Sequence, residues 1–258
     1  MKSYVINLDR SVERLDYMRG QFDSLGIGFE RIPAVDGSTL EAADFSTSPL
    51  RLPVIGCLLS HHAAWRKLLS SEDVFAAVFE DDAILKPEIK PLLTSSDWIP
   101  EEVGIVKLET TDSRVMLGRP AIPVAGARAL HRLLSDHHGT AGYIIHRHEA
   151  ELLLDETSTF QRPVDLAMFA TGILSQKRLR VFQINPAPVR QRSLMKEETD
   201  PAFLSTMIYD AGAEAERSGR SLAGKIVREA VRPVAQLSLL VRKIIAPSKP
   251  VQVRVPFS

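Results

Sequence analysis

Val74-Phe75-Ala76-Ala77-Val78-Phe79-Glu80-Asp81-Asp82 joins an apolar run to three consecutive acids. A short run rich in Val and Phe reads as a buried strand. Three adjacent carboxylates repel one another, so a stable arrangement needs a counter-charge. A divalent cation holding phosphates supplies one, because hard cations take oxygen ligands. In an extended strand Glu80 and Asp82 face one side and Asp81 the other. If the chain turns at Asp81, that acid joins the site as well. A solvated acidic turn is the plain alternative. A strand end opening into a crevice is the usual ligand position in an open α/β sheet.

Outward from this strand the pattern is α/β. Tyr4 to Leu8 reads as a first strand. Val12, Leu15, Met18, Phe22 and Leu25 then recur at helical spacing, with Gly26 as the stop. Residues 27 to 35 read as a second strand closing on Asp36-Gly37. After a polar loop over 38 to 53, a helix is expected from Cys57 to Leu69. Further strands are expected at 103 to 108, 143 to 145 and 180 to 184, and helices at 149 to 154 and just after Pro163. Residues 111 to 128, with Gly and Pro throughout, read as irregular.

The 258 residues suit one large domain or one domain with an appendage. Formal net charge is zero, but nine Lys or Arg and one acid fall after residue 216, leaving 23 basic and 31 acidic residues before it. We read a catalytic body over 1–200 and a basic extension over 201–258, with two short amphipathic helices within 221–245 and a loose end. That extension suits an anionic membrane surface or a lid on the acidic body. With few aromatics, it gives no support for nucleic-acid binding. Cys57 is the only cysteine, which excludes an internal disulfide and a cysteine-built zinc cluster. No run approaches the roughly 18 apolar residues of a membrane-spanning helix, and no signal peptide is evident. The expected place is the cytoplasm, peripherally on the cytoplasmic face of the inner membrane if the extension binds lipid. No Walker loop, dinucleotide fingerprint or Gly-x-Ser-x-Gly elbow is present. A phosphoesterase would need a second cluster of His and Asp ligands.

A longer pattern runs through the chain. It comprises Val5-Ile6-Asn7-Leu8-Asp9-Arg10-Ser11 with Glu13-Arg14, then Ala34-Val35-Asp36-Gly37 and Gly56-Cys57-Leu58-Leu59-Ser60-His61 with Trp65. Glu80-Asp81-Asp82-Ala83, Gly139-Thr140-Ala141-Gly142-Tyr143, Val164-Asp165 and Pro188-Val189-Arg190-Gln191 follow in order. Over about residues 3 to 192 this resembles glycosyltransferase family 25, the lipopolysaccharide and collagen galactosyltransferase group.

The resemblance implies a GT-A-like nucleotide-sugar-binding domain with a mostly parallel central sheet. It also implies an inverting transfer of a hexose, galactose from UDP-galactose, to a saccharide or glycolipid acceptor such as lipopolysaccharide. The acidic triplet matches the family's variant of the Asp-x-Asp motif. Asp82 is then the leading ligand of Mn²⁺ or Mg²⁺, with Glu80 or Asp81 toward the metal or the ribose. Such a cation bridges both phosphates and stabilises the leaving group. No histidine follows His148, so water and diphosphate would complete the coordination. Asn7 or Asp9 would meet base or ribose, and Arg10 or Arg14 phosphate; Asp9 or Ser11 as a helix cap is the alternative. Inversion needs a base for the acceptor hydroxyl. Asp165 is the candidate, with an N-cap role as its rival; Glu109 and Asp112 are the other carboxylates considered. His61 is expected to pack or hydrogen-bond near the site, and Trp65 to lie in the core. The reading from another class is a non-catalytic nucleotide-sugar or carbohydrate-binding module on the same fold.

Overall fold

The structure, a computed structural model, describes residues 1–170, 179–195, 198–204 and 249–258. The chain opens with strand β1 (Lys2–Asn7), helix α1 (Val12–Leu25) and strand β2 (Glu30–Pro33). Gly26 ends α1 in the left-handed region at φ 63°, where glycine carries no steric penalty. Helix α2 spans Leu52–Leu69, five residues longer at its start than its apolar spacing suggests. Pro53 sits in its first turn, where a missing N–H costs nothing. Strands β3 (Phe75–Glu80) and β4 (Ala83–Leu85) bracket the acidic turn, and helix α3 (Lys90–Thr94) follows. Strands β5 (Ile105–Lys107), β6 (Arg114–Leu117), β7 (Ile122–Val124), β8 (Arg128–Arg132) and β9 (Gly142–His146) come next. Helices α4 (Arg147–Glu156) and α5 (Val164–Phe169), strands β10 (Val181–Asn185) and β11 (Val189–Gln191), helix α6 (Pro201–Leu204) and strand β12 (Val251–Arg254) complete the order.

Eight strands form one mixed sheet in the order β2-β1-β3-β9-β5-β10-β8-β7. The pairings of β1 with β2, β1 with β3 and β5 with β10 are parallel. Strand β9 runs antiparallel to both neighbours, β3 and β5, and β8 is antiparallel to β10 and β7. Six of the eight strands therefore point one way, so the sheet is mostly parallel in direction. The expected irregular stretch 111–128 instead holds β6, β7 and the start of β8. Its glycines and prolines lie mainly in the short links, and Pro123 sits inside β7, the edge strand of the sheet, where a missing donor is tolerated.

Side chains alternate between the two faces. Tyr4, Ile6, Ala76 and Val78 join one apolar cluster with Trp65 and Leu68 of α2, Leu153 of α4 and Phe169 of α5. Val5, Phe75, Ala77 and Phe79 join the other with Met18 and Phe22 of α1 and Leu92 of α3. Helices thus cover both sheet faces, and the central strands are apolar on both sides, as such burial requires. Each fully buried large side chain stabilises the fold by about 1.5–3 kcal/mol.

The basic helices expected at 221–245 lie outside the described residues. The expected loose end is corrected: β12 pairs antiparallel with β6, and Val255 is buried beneath the Thr110 hydroxyl, which donates to its carbonyl at 2.7 Å. No helix among the described residues is long and apolar enough to cross a membrane.

Candidate active site

A cavity of about 910 Å³ opens at the carboxyl ends of β1 and β3. Residues following β1, the amino-terminal half of α2, the acidic turn, the 138–140 loop and the start of α5 wall it. Gly37 and Gly56 let α2 sit there. A Cβ on Gly56 would lie 2.8 Å from the Val35 carbonyl oxygen, and one on Gly37 would lie 2.5 Å from that of Leu52. Backbone thus meets backbone at the start of the helix, which turns Cys57, Ser60 and His61 toward the cavity. Gln21 of α1 holds the far side of the acidic turn, donating to the Ala83 carbonyl and accepting from the Leu85 amide, both at 2.8 Å.

The chain turns directly after Glu80, and all three acids line the cavity. Their surroundings separate them. Asp81 accepts from Asn7 Nδ2 at 2.8 Å and from Arg14 Nη1 at 3.1 Å. Burial pushes its carboxyl up, and Arg14 and Asn7 offset part of that. Glu80 accepts from the Thr140 hydroxyl at 2.5 Å and lies 3.4 Å from His61 Nε2. Burial acts to raise its pKa, but His61 and Thr140 outweigh it and the net shift is downward. Asp82 accepts from Gln191 Nε2 at 2.9 Å through Oδ2, while Oδ1 is buried with no hydrogen-bond partner. Burial, then the charge of Glu80, raises the Asp82 carboxyl to about 7. A buried, partnerless carboxylate oxygen beside two more acids fits a cation, which would satisfy the oxygen and relieve the repulsion.

The other expected residues fall unevenly. Asn7 lines the cavity but is committed to protein: Nδ2 donates to Asp81 and to the Ser11 carbonyl, and Oδ1 accepts from Arg31. Asp9 does not line it; the side chain is 85% exposed and paired with Arg31 at 2.5 Å. Arg10 lines it and pairs with Asp36. Arg14 lies 3.1 Å from Asp81 and 3.9 Å from Asp82, and its Nε donates to the Ala202 carbonyl at 2.6 Å. Neither Asp9 nor Ser11 makes a side-chain cap on α1.

Asp165 stands in the cavity wall, in the first turn of α5. Pro163 holds the N-cap position, so the cap reading is corrected. Asp165 Oδ1 accepts from the Leu166 amide at 2.8 Å, and Oδ2 lies 3.4 Å from both the Gly139 amide and His138 Nδ1. Burial opposes ionisation, but His138 and the Gly139 amide prevail and hold the carboxyl below its usual range. Glu109 and Asp112 are not in the wall. Glu109 is fully buried, 3.3 Å from Lys107 Nζ. Asp112 pairs with Arg190 at 2.7 Å.

The adjacent histidines do not act as pairs. His62 meets Thr157 at 2.6 Å and His137 meets Gln183 at 2.9 Å, both away from the cavity. His61 Nδ1 lies 2.9 Å from the Tyr143 hydroxyl, which accepts from Trp65 Nε1 at 2.9 Å. Trp65 is fully buried in the core, as expected. Cys57, Thr140, His138 and Gln191 enter the site without having been singled out as site residues. Gln191 owes its place to the β4–β11 pairing, which sets it opposite Ala83; nothing local in the sequence announces that contact.

Residues 1–168 match glycosyltransferase family 25 (LPS biosynthesis protein). The chain is 32% identical over 204 residues to the lacto-N-neotetraose biosynthesis glycosyltransferase LgtB of Neisseria gonorrhoeae, covering 72% of this chain and 73% of that one. It is 29% identical over 177 residues to the lipooligosaccharide biosynthesis protein lex-1 of Haemophilus influenzae, covering 64% and 56%. Among solved structures, a glycosyltransferase involved in glycosylating the major capsid of PBCV-1 matches 70% of this chain and 80% of that one, at 12% identity and a TM-score of 0.36. Through the match over its first 168 residues and its relation to LgtB, the chain belongs to glycosyltransferase family 25.

Proposed function

We propose that the protein transfers a hexose, galactose from UDP-galactose, with inversion, onto a hydroxyl of a lipopolysaccharide-type oligosaccharide. The observation that carries this reading is the cavity itself, with the partnerless Asp82 Oδ1 on one wall and the Asp165 carboxylate on another. The names of the relatives support an oligosaccharide acceptor. Asp82, with Glu80 beside it, would hold Mn²⁺ or Mg²⁺, which supplies charge neutralisation for the departing diphosphate. Arg10 and Arg14 add positive charge on the same side, where phosphate oxygens would accept their N–H groups. Asp81, gripped by Asn7 and Arg14, keeps that arginine aimed at the acids. Asp165, ionised well below neutral pH, takes the proton of the acceptor hydroxyl at the opposite face of the sugar. Val35, Val54 and Val164 add apolar surface to the cavity wall beside these polar groups. A membrane-facing role for the basic residues of 221–245, at the cytoplasmic face of the inner membrane, belongs to the same proposal, since a glycolipid acceptor would be presented there.

The test is a transfer assay with UDP-galactose and an oligosaccharide acceptor, with and without Mn²⁺. Asp82→Asn should lower kcat by on the order of 10³-fold and weaken UDP binding in Mn²⁺. Asp165→Asn should spare UDP binding and lower kcat by roughly 10²–10⁴-fold. Unchanged transfer in Asp82→Asn would remove the cation assignment. Binding of UDP-galactose without turnover would favour a non-catalytic module.

A further inference from the structure

We propose that Cys57, His61 and Glu80 form a second binding site on the cavity wall, one that takes a thiophilic divalent cation such as zinc. Cys57 and His61 stand one turn apart on α2 and therefore share a face. Glu80 approaches that face from the end of β3. One ligand atom from each residue lies within 4.8 Å of the other two. Ligands of one tetrahedral zinc are separated by about 3.3–3.8 Å, given metal bonds of 2.0–2.3 Å. Small side-chain rotations close that difference.

Independent features point the same way. His61 is 1% exposed, yet its Nε2 has no hydrogen-bond partner. Its nearest acid oxygen is Glu80 Oε1 at 3.4 Å. The supports that orient metal ligands are already in place. Tyr143 meets His61 Nδ1 at 2.9 Å, and its hydroxyl can donate to that nitrogen or accept from it, so either tautomer is served. The Thr140 hydroxyl donates to the same Glu80 oxygen, Oε1, and fixes it beside His61. Cys57, His61 and Glu80 all line the cavity, which leaves a further coordination position open to water. Burial, then Glu80, keeps the Cys57 thiol protonated without a cation; a bound cation displaces that proton to solvent.

The donor set separates this site from that of Asp82. Carboxylate oxygens suit Mg²⁺ and Mn²⁺, whereas a sulfur, a nitrogen and an oxygen suit Zn²⁺, Co²⁺ and Cd²⁺. Glu80 belongs to both sets. Resting on the functional reading above, zinc occupancy would withdraw Glu80 from the diphosphate cation and inhibit transfer.

Because Cys57 is the chain's only cysteine, cobalt reports on it without ambiguity. Co²⁺ is titrated into the metal-stripped full chain. The expected result is a thiolate-to-cobalt charge-transfer band that saturates at one equivalent and is bleached by Zn²⁺. Cys57→Ser should lose the band and bind zinc on the order of 10–100-fold more weakly. Glu80→Gln should keep the thiolate band but also bind more weakly, and it stands in if Cys57→Ser melts abnormally. Absence of the band in the wild type, or wild-type zinc affinity in both variants, overturns the site. Zinc inhibition of Mn²⁺-supported transfer, relieved in Cys57→Ser, is the second readout. A normal cobalt band in a protein that transfers no sugar would overturn the functional reading and leave the cation site standing.

Discussion

Burial and the neighbouring charge of Glu80 favour the protonated form of Asp82, against Gln191 and Arg14. Its carboxyl titrates near 7 in the fold and near 4 in the unfolded chain. Between those values the folded chain holds the extra proton, so stability falls as pH rises from about 4 to about 7 and stays lower above that. Asp82→Asn should therefore melt several degrees higher than wild type at pH 8, with the difference shrinking toward pH 4. Mn²⁺ should raise the wild-type melting temperature at pH 8 and leave Asp82→Asn unmoved. A wild type and variant that melt alike at every pH would remove the buried-acid account. The sequence leaves Glu80, Asp81 and Asp82 nearly equivalent, because spacing says nothing about partners. Asn7 and Arg14 claim Asp81, and Thr140 and His61 claim Glu80; those contacts span many residues along the chain. Asp9 illustrates the reverse: it follows the first strand as a ligand residue would, but Arg31 draws it out to the surface.

Loop 138–141 shows how an element positions the chemistry. Buried Lys107, at the end of β5, donates to the carbonyls of His138, at 3.0 Å, and Gly139. Its ammonium also lies 4.0 Å from the Phe169 ring of α5. Glu109 accepts from the Ala141 amide at 3.0 Å. One loop so held carries both Thr140, on Glu80, and His138, on Asp165. Gly139 sits at φ 86°, and a Cβ there would fall 2.6 Å from Glu109 Oε1. Gly139→Ala should cost about 2–4 kcal/mol, visible in denaturant melts, and should lower kcat more than it changes UDP affinity. A variant with wild-type kcat would mean the loop does not set the site. The helical spacing of α1 and the continuous apolar run of β3 are legible from the sequence alone. Strands β4 and β11 have three residues each, too few to show a period. Helix α2 hides its start because Pro53 reads as a break, although a proline in the first turn is compatible with a helix.

At the scale of the molecule, the division into an acidic body and a basic extension meets the return of the chain. Residues 198–204 pack beside the cavity, where Phe203 meets Tyr17 edge to face with ring centroids 5.1 Å apart. Residues 251–254 then pair with β6. Truncation after residue 216 would remove β12 as well as the basic residues. It should lower the melting temperature, so loss of vesicle binding in that variant would be uninformative. Charge-neutralising substitutions at Lys225, Arg228 and Arg232 keep β12 in the chain and, in variants that melt like the wild type, should weaken binding to anionic vesicles; undiminished binding would reject the proposed membrane role. The place of β9 in the sheet also governs time. Until residue 146 has been synthesised, the apolar strand Phe75–Glu80 can pair with β1 on one side only. At about 5–20 residues per second that edge stays uncovered for several seconds, and an unpaired apolar edge is a template for aggregation. A fragment ending before Gly142 should scatter light at concentrations where the full chain stays clear. For this chain, the strand that later carries the acids is also the one most in need of shelter on the ribosome.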